Sequence, residues 1–354
     1  MLLRENYTKE HIVALREQTG ADPSILERTV FALGLLEAIR SVGMPFIFKG
    51  GTSLLVLLDH PRRLSTDIDI IVDKDTDVDD YISKAGTIFP FLSVEEHKRK
   101  GANDIEKRHF RFHFLSPRTE KEIDILLDIV FEDNPYLKVT ERPIRSSLLL
   151  HAGDDLLVRL PDKNCILGDK LTAFAPHTTG IPFGKDKELE IIKQMFDVAA
   201  LFDVCKDFKL THDTFRKFGE TELGYREIEG ATTDDILKDA INTALCISLR
   251  GFENEEEFKL LQDGIQRIGG LILSERYHLD PAIRDSAKAA YTAAIMLTHV
   301  TEVHRFESTP IDEWKDAVIG EVLTNKLNKL KKSNPEAFFY WWQVDKVLAP
   351  KSNE

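Results

Sequence analysis

The stretch Lys49–Val72, KGGTSLLVLLDHPRRLSTDIDIIV, decides how the chain is read. Its last five residues, Ile68-Asp69-Ile70-Ile71-Val72, form an apolar strand, yet aspartates stand at Asp67 and Asp69. Side chains on a strand alternate between faces, so Asp67 and Asp69 point one way, about 7 Å apart at their Cα atoms, while Ile68 and Ile70 point into a packed layer. Upstream, Phe46-Ile47-Phe48 reads as a short strand and Gly50-Gly51 as a turn. Thr52 or Ser53 then opens a very apolar helix that runs through Leu58.

A later strand, Glu122 to Phe131, places Asp124 and Asp128 on one face by the same alternation. Paired beside the first, it gathers three carboxylates at one end of a sheet. Unit charges of one sign about 5 Å apart repel by roughly 3 kcal/mol at an effective dielectric near 20, so something must neutralise them. Mg²⁺, or Mn²⁺ in its place, suits hard oxygen ligands and is commonly held by a few carboxylates together with substrate phosphates. A pair of such ions, about 3.5 to 4 Å apart, activates an attacking oxygen and stabilises a leaving one. The glycines supply the other half of a phosphoryl-transfer site. They let backbone approach a phosphate closely, and the free N–H groups at the helix start, Thr52 and Ser53, favour anionic oxygens. Arg63 and Ser65 lie within reach of the same phosphates. Gly-Gly alone is a common turn and Asp-x-Asp alone a common surface loop. Their order, from strand through Gly-Gly turn, helix and loop to aspartate strand, is far more specific.

That order resembles the nucleotidyltransferase superfamily, whose minimal signature is hG[GS], a short spacer, [DE]h[DE]h and a third carboxylate on a later strand. More closely, KGGTSL with RLSTDIDI is similar to the AbiEii/AbiGii toxin family of abortive-infection and type IV toxin–antitoxin systems. Two further motifs match that family: GDKLTAFA, which places its lysine at Lys170, and KQMFDVAALF, which places its aspartate at Asp197. The resemblance covers roughly residues 30 to 205. It implies a polymerase-β-like mixed sheet with flanking helices and a metal-dependent enzyme that transfers a nucleotide from an NTP to RNA. tRNA is the acceptor class established for some members, and a cognate antitoxin is the usual partner. Carried over by motif, Asp67, Asp69 and Asp128 are metal ligands, with Asp124 the alternative to Asp128 because LLDIVFED matches the third-carboxylate strand better than KEIDI. Gly50, Gly51, Thr52, Ser53, Arg63 and Ser65 bind nucleotide, Lys170 offsets charge on the phosphates, and Asp197 orients Lys170 or binds the nucleotide.

Read from the residues themselves, Lys170 shares a helix face with Ile166, Leu167 and Phe174, so either it acts in a site or its stem covers apolar surface while the ammonium reaches water. Asp197 sits in a helix apolar nearly all round, where the alternative to a site role is an ion pair with Lys193. The loop HTTGIPFGKDK between these helices offers Lys185 and Lys187 to triphosphate or RNA.

Several other features bound the function. At 354 residues with 42% apolar content, the chain is long enough for two packed domains. The net charge of −13 argues against a surface that grips nucleic acid everywhere and leaves only local basic patches. These are Lys98-Arg99-Lys100, Lys107-Arg108 with Arg111, and Lys326, Lys329, Lys331 and Lys332. Three scattered cysteines indicate neither a disulfide framework nor a metal site and fit a reducing cytosol. No apolar run approaches the roughly 20 residues that span a bilayer, and the amino terminus lacks a signal-peptide core. HExxH and GxSxG are absent, so His109, His113 and His177 read as structural or as peripheral RNA contacts.

Strands come first and helices later, which predicts an α+β nucleotidyltransferase core over 1–160 and a helical domain over 161–354 that contributes Lys170 and Asp197 to the cleft. Expected helices span 23–40, 52–58, 77–88, 166–175, 187–204, 234–249, 254–274, 281–303 and 311–331. Phe338 to Gln343, FFYWWQ, reads as core.

Overall fold

The computed structural model describes residues 1–97, 106–226, 228, 230–300 and 302–350; the basic run Lys98-Arg99-Lys100 lies outside them. The chain forms two compact units: Met1–Asp162 with Gly270–Arg276, and Lys163–Gly269 with Tyr277–Glu354.

In the first unit, helices α1 (Lys9–Thr19) and α2 (Pro23–Ser41) precede the sheet. Helix α2 begins where Asp22 caps it, its carboxylate accepting from the Ser24 and Ile25 N–H groups, with Pro23 at the first helical position. Strand β1 (Ile47–Lys49) runs directly into α3 (Gly50–Leu57), followed by β2 (Ile68–Val72), α4 (Asp79–Ala85), β3 (Phe91–Glu96), β4 (Lys107–Leu115) and β5 (Glu122–Phe131). The strands order as β1-β2-β5-β4-β3 in one mixed sheet, with β2 and β5 parallel and the other pairs antiparallel. A parallel pair needs a long crossover, which α4, β3 and β4 supply. A two-stranded ladder, β6 (Val139–Pro143) with β7 (Leu157–Pro161), completes the unit.

Alternation explains the aspartates. Phe48, Ile68, Ile70, Ile125, Leu127, Ile129, Phe110, Phe112 and Phe114 are all buried on one face of the sheet, where Phe31 of α2 stacks on Phe114 at 3.7 Å between ring centroids. Asp69, Asp128 and His109 share the opposite face.

Gly50 and Gly51 do not form a free turn before α3. Both lie in its first helical turn, with Gly50 at φ +77°, a conformation that favours glycine. A helix over 254–274 is not formed either: it stops at Ile268, before Gly269 and Gly270. Residues 270–276 return to the first unit, where Leu64 N–H donates to Leu271 O at 2.7 Å, Leu273 N–H donates to Arg62 O at 2.9 Å, and Arg63 bridges Ile272.

The second unit is helical: α5 (Lys163–Ala173), α6 (Glu188–Val204), α7 (Phe208–Arg226), α8 (Thr233–Ser248), α9 (Glu255–Ile268), α10 (Leu279–Thr298), α11 (Leu330–Ser333) and α12 (Pro335–Leu348). Phe338, Phe339, Tyr340, Trp341 and Gln343 are buried core residues. Lys288 is buried between Asp203 (2.9 Å) and Glu336 (2.7 Å). The long helix expected over 311–331 is instead a loop with short 3-10 turns. Its N–H groups at Gly320, Glu321, Val322 and Leu323 donate to the buried Asp345 carboxylate at 2.7 to 3.0 Å, a tertiary bond that local periodicity does not contain. No described helix is long and apolar enough to cross a membrane.

His177 ties the α5–α6 loop to α8 and α9. Its Nδ1 lies 2.8 Å from Asp239 Oδ1 and its Nε2 2.8 Å from Glu257 Oε1. Ionised carboxylates only accept, so both ring nitrogens must carry hydrogen and the ring is an imidazolium. A cavity of about 420 Å³ beside it is lined also by Asp235, Lys238, Glu253 and Cys246. Burial pulls the His177 pKa down, but the bonds to Glu257 and Asp239 more than offset this and leave it above 6.5. The stability contributed is therefore complete below the unfolded-state value and is lost as pH rises through the higher folded-state one. In thermal unfolding, the Tm advantage of the unaltered chain over Glu257→Gln should be largest near about pH 6 and shrink towards about pH 9; a difference independent of pH would refute the imidazolium.

Candidate active site

The site is built by register. β2 and β5 pair so that Asp69 and Asp128 are direct neighbours, while Lys49 of β1 opposes Asp69 and His109 of β4 opposes Asp128. Four residues from four strands thus form one polar row, Lys49–Asp69–Asp128–His109. Neighbouring strands lie about 4.8 Å apart, which brings the two carboxylates side by side. Asp124 stands four residues along β5, about 13 Å away, opposite His113. Geometry therefore selects Asp128 as the carboxylate beside Asp69.

The glycines are required by close approach. A β-carbon on Gly50 would collide with the Asp69 carboxylate. One on Gly51 would stand 2.6 Å from Arg63 Nη2 and 3.1 Å from Ser65 Oγ. Thus Gly50, Gly51, Asp69, Arg63 and Ser65 converge, and the strand pairing of 270–276 with 62–64 holds Arg63 in place. Arg63 is itself buried, with Nη1 donating to Leu64 O at 3.0 Å.

The hydroxyls of Thr52 and Ser53 face inward. Both are fully buried, Thr52 Oγ1 donating to Asp67 O at 2.5 Å and Ser53 Oγ to Gly50 O at 2.7 Å. The Thr52 hydroxyl ties α3 to the residue that precedes β2, the Ser53 hydroxyl closes on its own helix start, and the N–H groups of the first helical turn are the groups of this stretch suited to an anion. Asp67 precedes β2 rather than belonging to it, and is exposed, with Thr66 Oγ1 3.4 Å from its Oδ1.

Among the described residues, no group of three or more His, Cys, Asp and Glu side chains gathers closely enough to hold a metal ion. The Asp69–Asp128 pair nonetheless fits Mg²⁺ or Mn²⁺ as a partial set, since Mg²⁺ is usually bound through one or two carboxylates and completes its shell with water and substrate phosphate.

In the second unit, Lys170 and Asp197 meet in a buried ion pair at 3.1 Å, and Lys170 Nζ also donates to Gln194 Oε1 at 2.9 Å. The Lys170 ammonium does not reach out to water, and Lys193 pairs with Glu190 at 2.8 Å rather than with Asp197. Lys185 and Lys187 are exposed. Of the basic residues on β4, Arg108 is spent on Glu96 and Asp79, each at 2.8 Å.

Sequence reasoning did not single out Lys49 and did not place His109 against Asp128. The hint for Lys49 was its place at the end of a strand, immediately before the glycines. His109 Nδ1 lies 2.6 Å from Asp128 Oδ1, a contact set by cross-strand register and invisible in strand alternation alone.

The family model for the nucleotidyl transferase AbiEii toxin of the type IV toxin–antitoxin system matches residues 35–333, which takes in helices well beyond the four motifs. Crystal structures from Helicobacter pylori resemble the chain. JHP933 is 13% identical with a TM-score of 0.45, covering 77% of this chain and 93% of its own. A candidate nucleotidyltransferase is 14% identical with a TM-score of 0.44, covering 78% of this chain and 99% of its own. No curated protein matches.

Removing one partner of a buried pair leaves an uncompensated charge. Asp197→Asn should therefore lower stability by about 3 kcal/mol in urea unfolding, whereas Lys193→Ala, which breaks only a partly exposed pair, should shift it by less than about 1 kcal/mol. Equal effects would put the stabilising partner of Asp197 elsewhere than Lys170.

Proposed function

Because this chain belongs to the AbiEii nucleotidyltransferase toxin family of type IV toxin–antitoxin systems, we propose that it transfers a nucleotide from an NTP to an RNA acceptor of the tRNA class and is neutralised by a cognate antitoxin. The observation that carries the reading is the register that sets Asp69 against Asp128 beside the Gly50 backbone.

In the proposed reaction, the acceptor hydroxyl oxygen bonds to the α-phosphorus, the bond from that phosphorus to the bridging β oxygen breaks, and pyrophosphate leaves. Asp128 receives the hydroxyl proton as the new bond forms. The first-turn N–H groups of α3, with Arg63 and Ser65, hold the triphosphate, and their fixed dipoles favour its charge without reorganisation. Lys49 adds positive charge at the same end of the row. Mg²⁺ or Mn²⁺, carried by Asp69 and Asp128 with Asp67 in support, would polarise the phosphate under attack when bound. Lys170 and Asp197, which carry the two helical motifs of the family, form their buried pair within the second unit.

Exposed carboxylates dominate the chain's net charge of −13, so an RNA acceptor would dock through local cationic patches rather than a whole basic face.

Incubation with each labelled NTP and either total RNA or no RNA tests the reading. The unaltered chain should label RNA, and Asp69→Asn should reduce labelling by at least about 100-fold. Label appearing on protein or a small molecule, with none in RNA, would assign the site to a different acceptor; undiminished labelling by Asp69→Asn would remove Asp69 from the chemistry.

A further inference from the structure

An aspartate on an open sheet face turns freely about two side-chain bonds, so register alone delivers Asp128 to the row without fixing where its oxygens point. The neighbour across β4 removes that freedom. His109 is the direct antiparallel partner of Asp128, and its Nδ1 stands 2.6 Å from Asp128 Oδ1. A carboxylate has no hydrogen to offer, so the hydrogen is on Nδ1, which sets the ring's orientation and occupies one carboxylate oxygen while leaving Oδ2 for another partner. Only 15% of the His109 side chain and 26% of Asp128 are exposed, and partial withdrawal from water strengthens the bond.

The strand that carries the imidazole is itself held on both sides. Arg108, the preceding residue and therefore on the other face, donates to Glu96 of β3 at 2.8 and 3.2 Å and meets Asp79 of α4 at 2.8 Å. Its guanidinium also lies over the Phe110 ring, 4.9 Å from the centroid. On the same side, His97 N–H, just past the end of β3, donates to His109 O at 2.7 Å, while β5 pairs along the other edge. A side chain meant only to cover the sheet would not need such bracing. A group that aims a carboxylate does, because second partners of this kind work by pre-ordering the ligand.

We propose, on the nucleotidyltransferase reading above, that His109 is a positioning residue: it locks the Asp128 rotamer so that Oδ2 stays in the row beside Asp69, ready for the divalent cation and the acceptor hydroxyl. The imidazole acts through Asp128 and touches no reacting atom.

The test uses the full chain and the variants His109→Ala, His109→Asn, His109→Gln and Asp128→Asn. Asparagine carries an amide N–H close to the position of Nδ1, whereas glutamine carries it one carbon further out. Binding of Mn²⁺ in the presence of a non-hydrolysable NTP analogue is followed by electron paramagnetic resonance, and kcat and KM come from nucleotide incorporation. His109→Ala should weaken Mn²⁺ binding by about 10- to 100-fold and lower kcat more than it raises the KM for NTP. His109→Asn should recover most of both, and His109→Gln should not. Should His109→Ala fail to fold, the asparagine–glutamine contrast still decides, because equal behaviour of those two would overturn the proposal. Wild-type Mn²⁺ affinity and turnover in His109→Ala, with both lost in Asp128→Asn, would overturn the role of His109 and leave nucleotidyl transfer standing. An unaltered chain that neither binds Mn²⁺ with the analogue nor incorporates nucleotide would overturn the underlying reading instead.

Discussion

The parallel pairing of β2 with β5 is the constraint on which the remaining arrangement depends. Ile68, Ile70 and Val72 pair with Leu127, Ile129 and Phe131, and burial of these residues on one face fixes the register. A slip of one residue would turn the apolar set out of the core and the aspartates into it, at the expense of several fully buried side chains and with carboxylates left in an apolar layer. The hydrophobic side of the sheet thus dictates where the charged side places Asp69 and Asp128. Packing energy specifies where the polar row lies without any of the packed residues belonging to it.

Close approach is the second constraint. Gly50 and Gly51 are small because a carboxylate and a guanidinium occupy the space that side chains would fill. Thr52 reinforces this by donating to Asp67 O, which ties the glycine segment to the aspartate segment, while Ser53 donates to Gly50 O and tightens the helix start itself. Arg63 is held in turn by residues more than two hundred positions later in the chain, where Leu271 and Leu273 pair with the segment around Leu64. The long excursion through α5 to α9 returns to place one strand-like segment against the loop that precedes β2.

The helical unit shows the same economy of buried charge. Lys170 is matched by Asp197 and Gln194, Lys288 by Asp203 and Glu336, and Asp345 by backbone N–H groups of the 320–323 loop. Each charge is neutralised by groups from another helix or loop, which specifies how those segments meet, since misplacement would strand a charge away from water. Lys170 and Asp197 were singled out by motif alone; their pairing is a product of α5 lying against α6.

Much of this was legible in the sequence. Alternation alone put Asp69 apart from the buried Ile68 and Ile70, Gly-Gly before an apolar helix marked a place where backbone must come near something, and FFYWWQ declared a core. These are local properties, set by the pleat of a strand, the absence of a Cβ and the hydrophobicity of a short run. Tertiary structure decided the rest. It set Asp128 rather than Asp124 beside Asp69, left Asp67 outside the strand, turned the hydroxyls of Thr52 and Ser53 inward, dissolved the expected 311–331 helix in favour of bonds to Asp345, and joined His109 to Asp128. Each of those outcomes depends on which strand or loop lies alongside, and one chain segment carries no record of its neighbour's register.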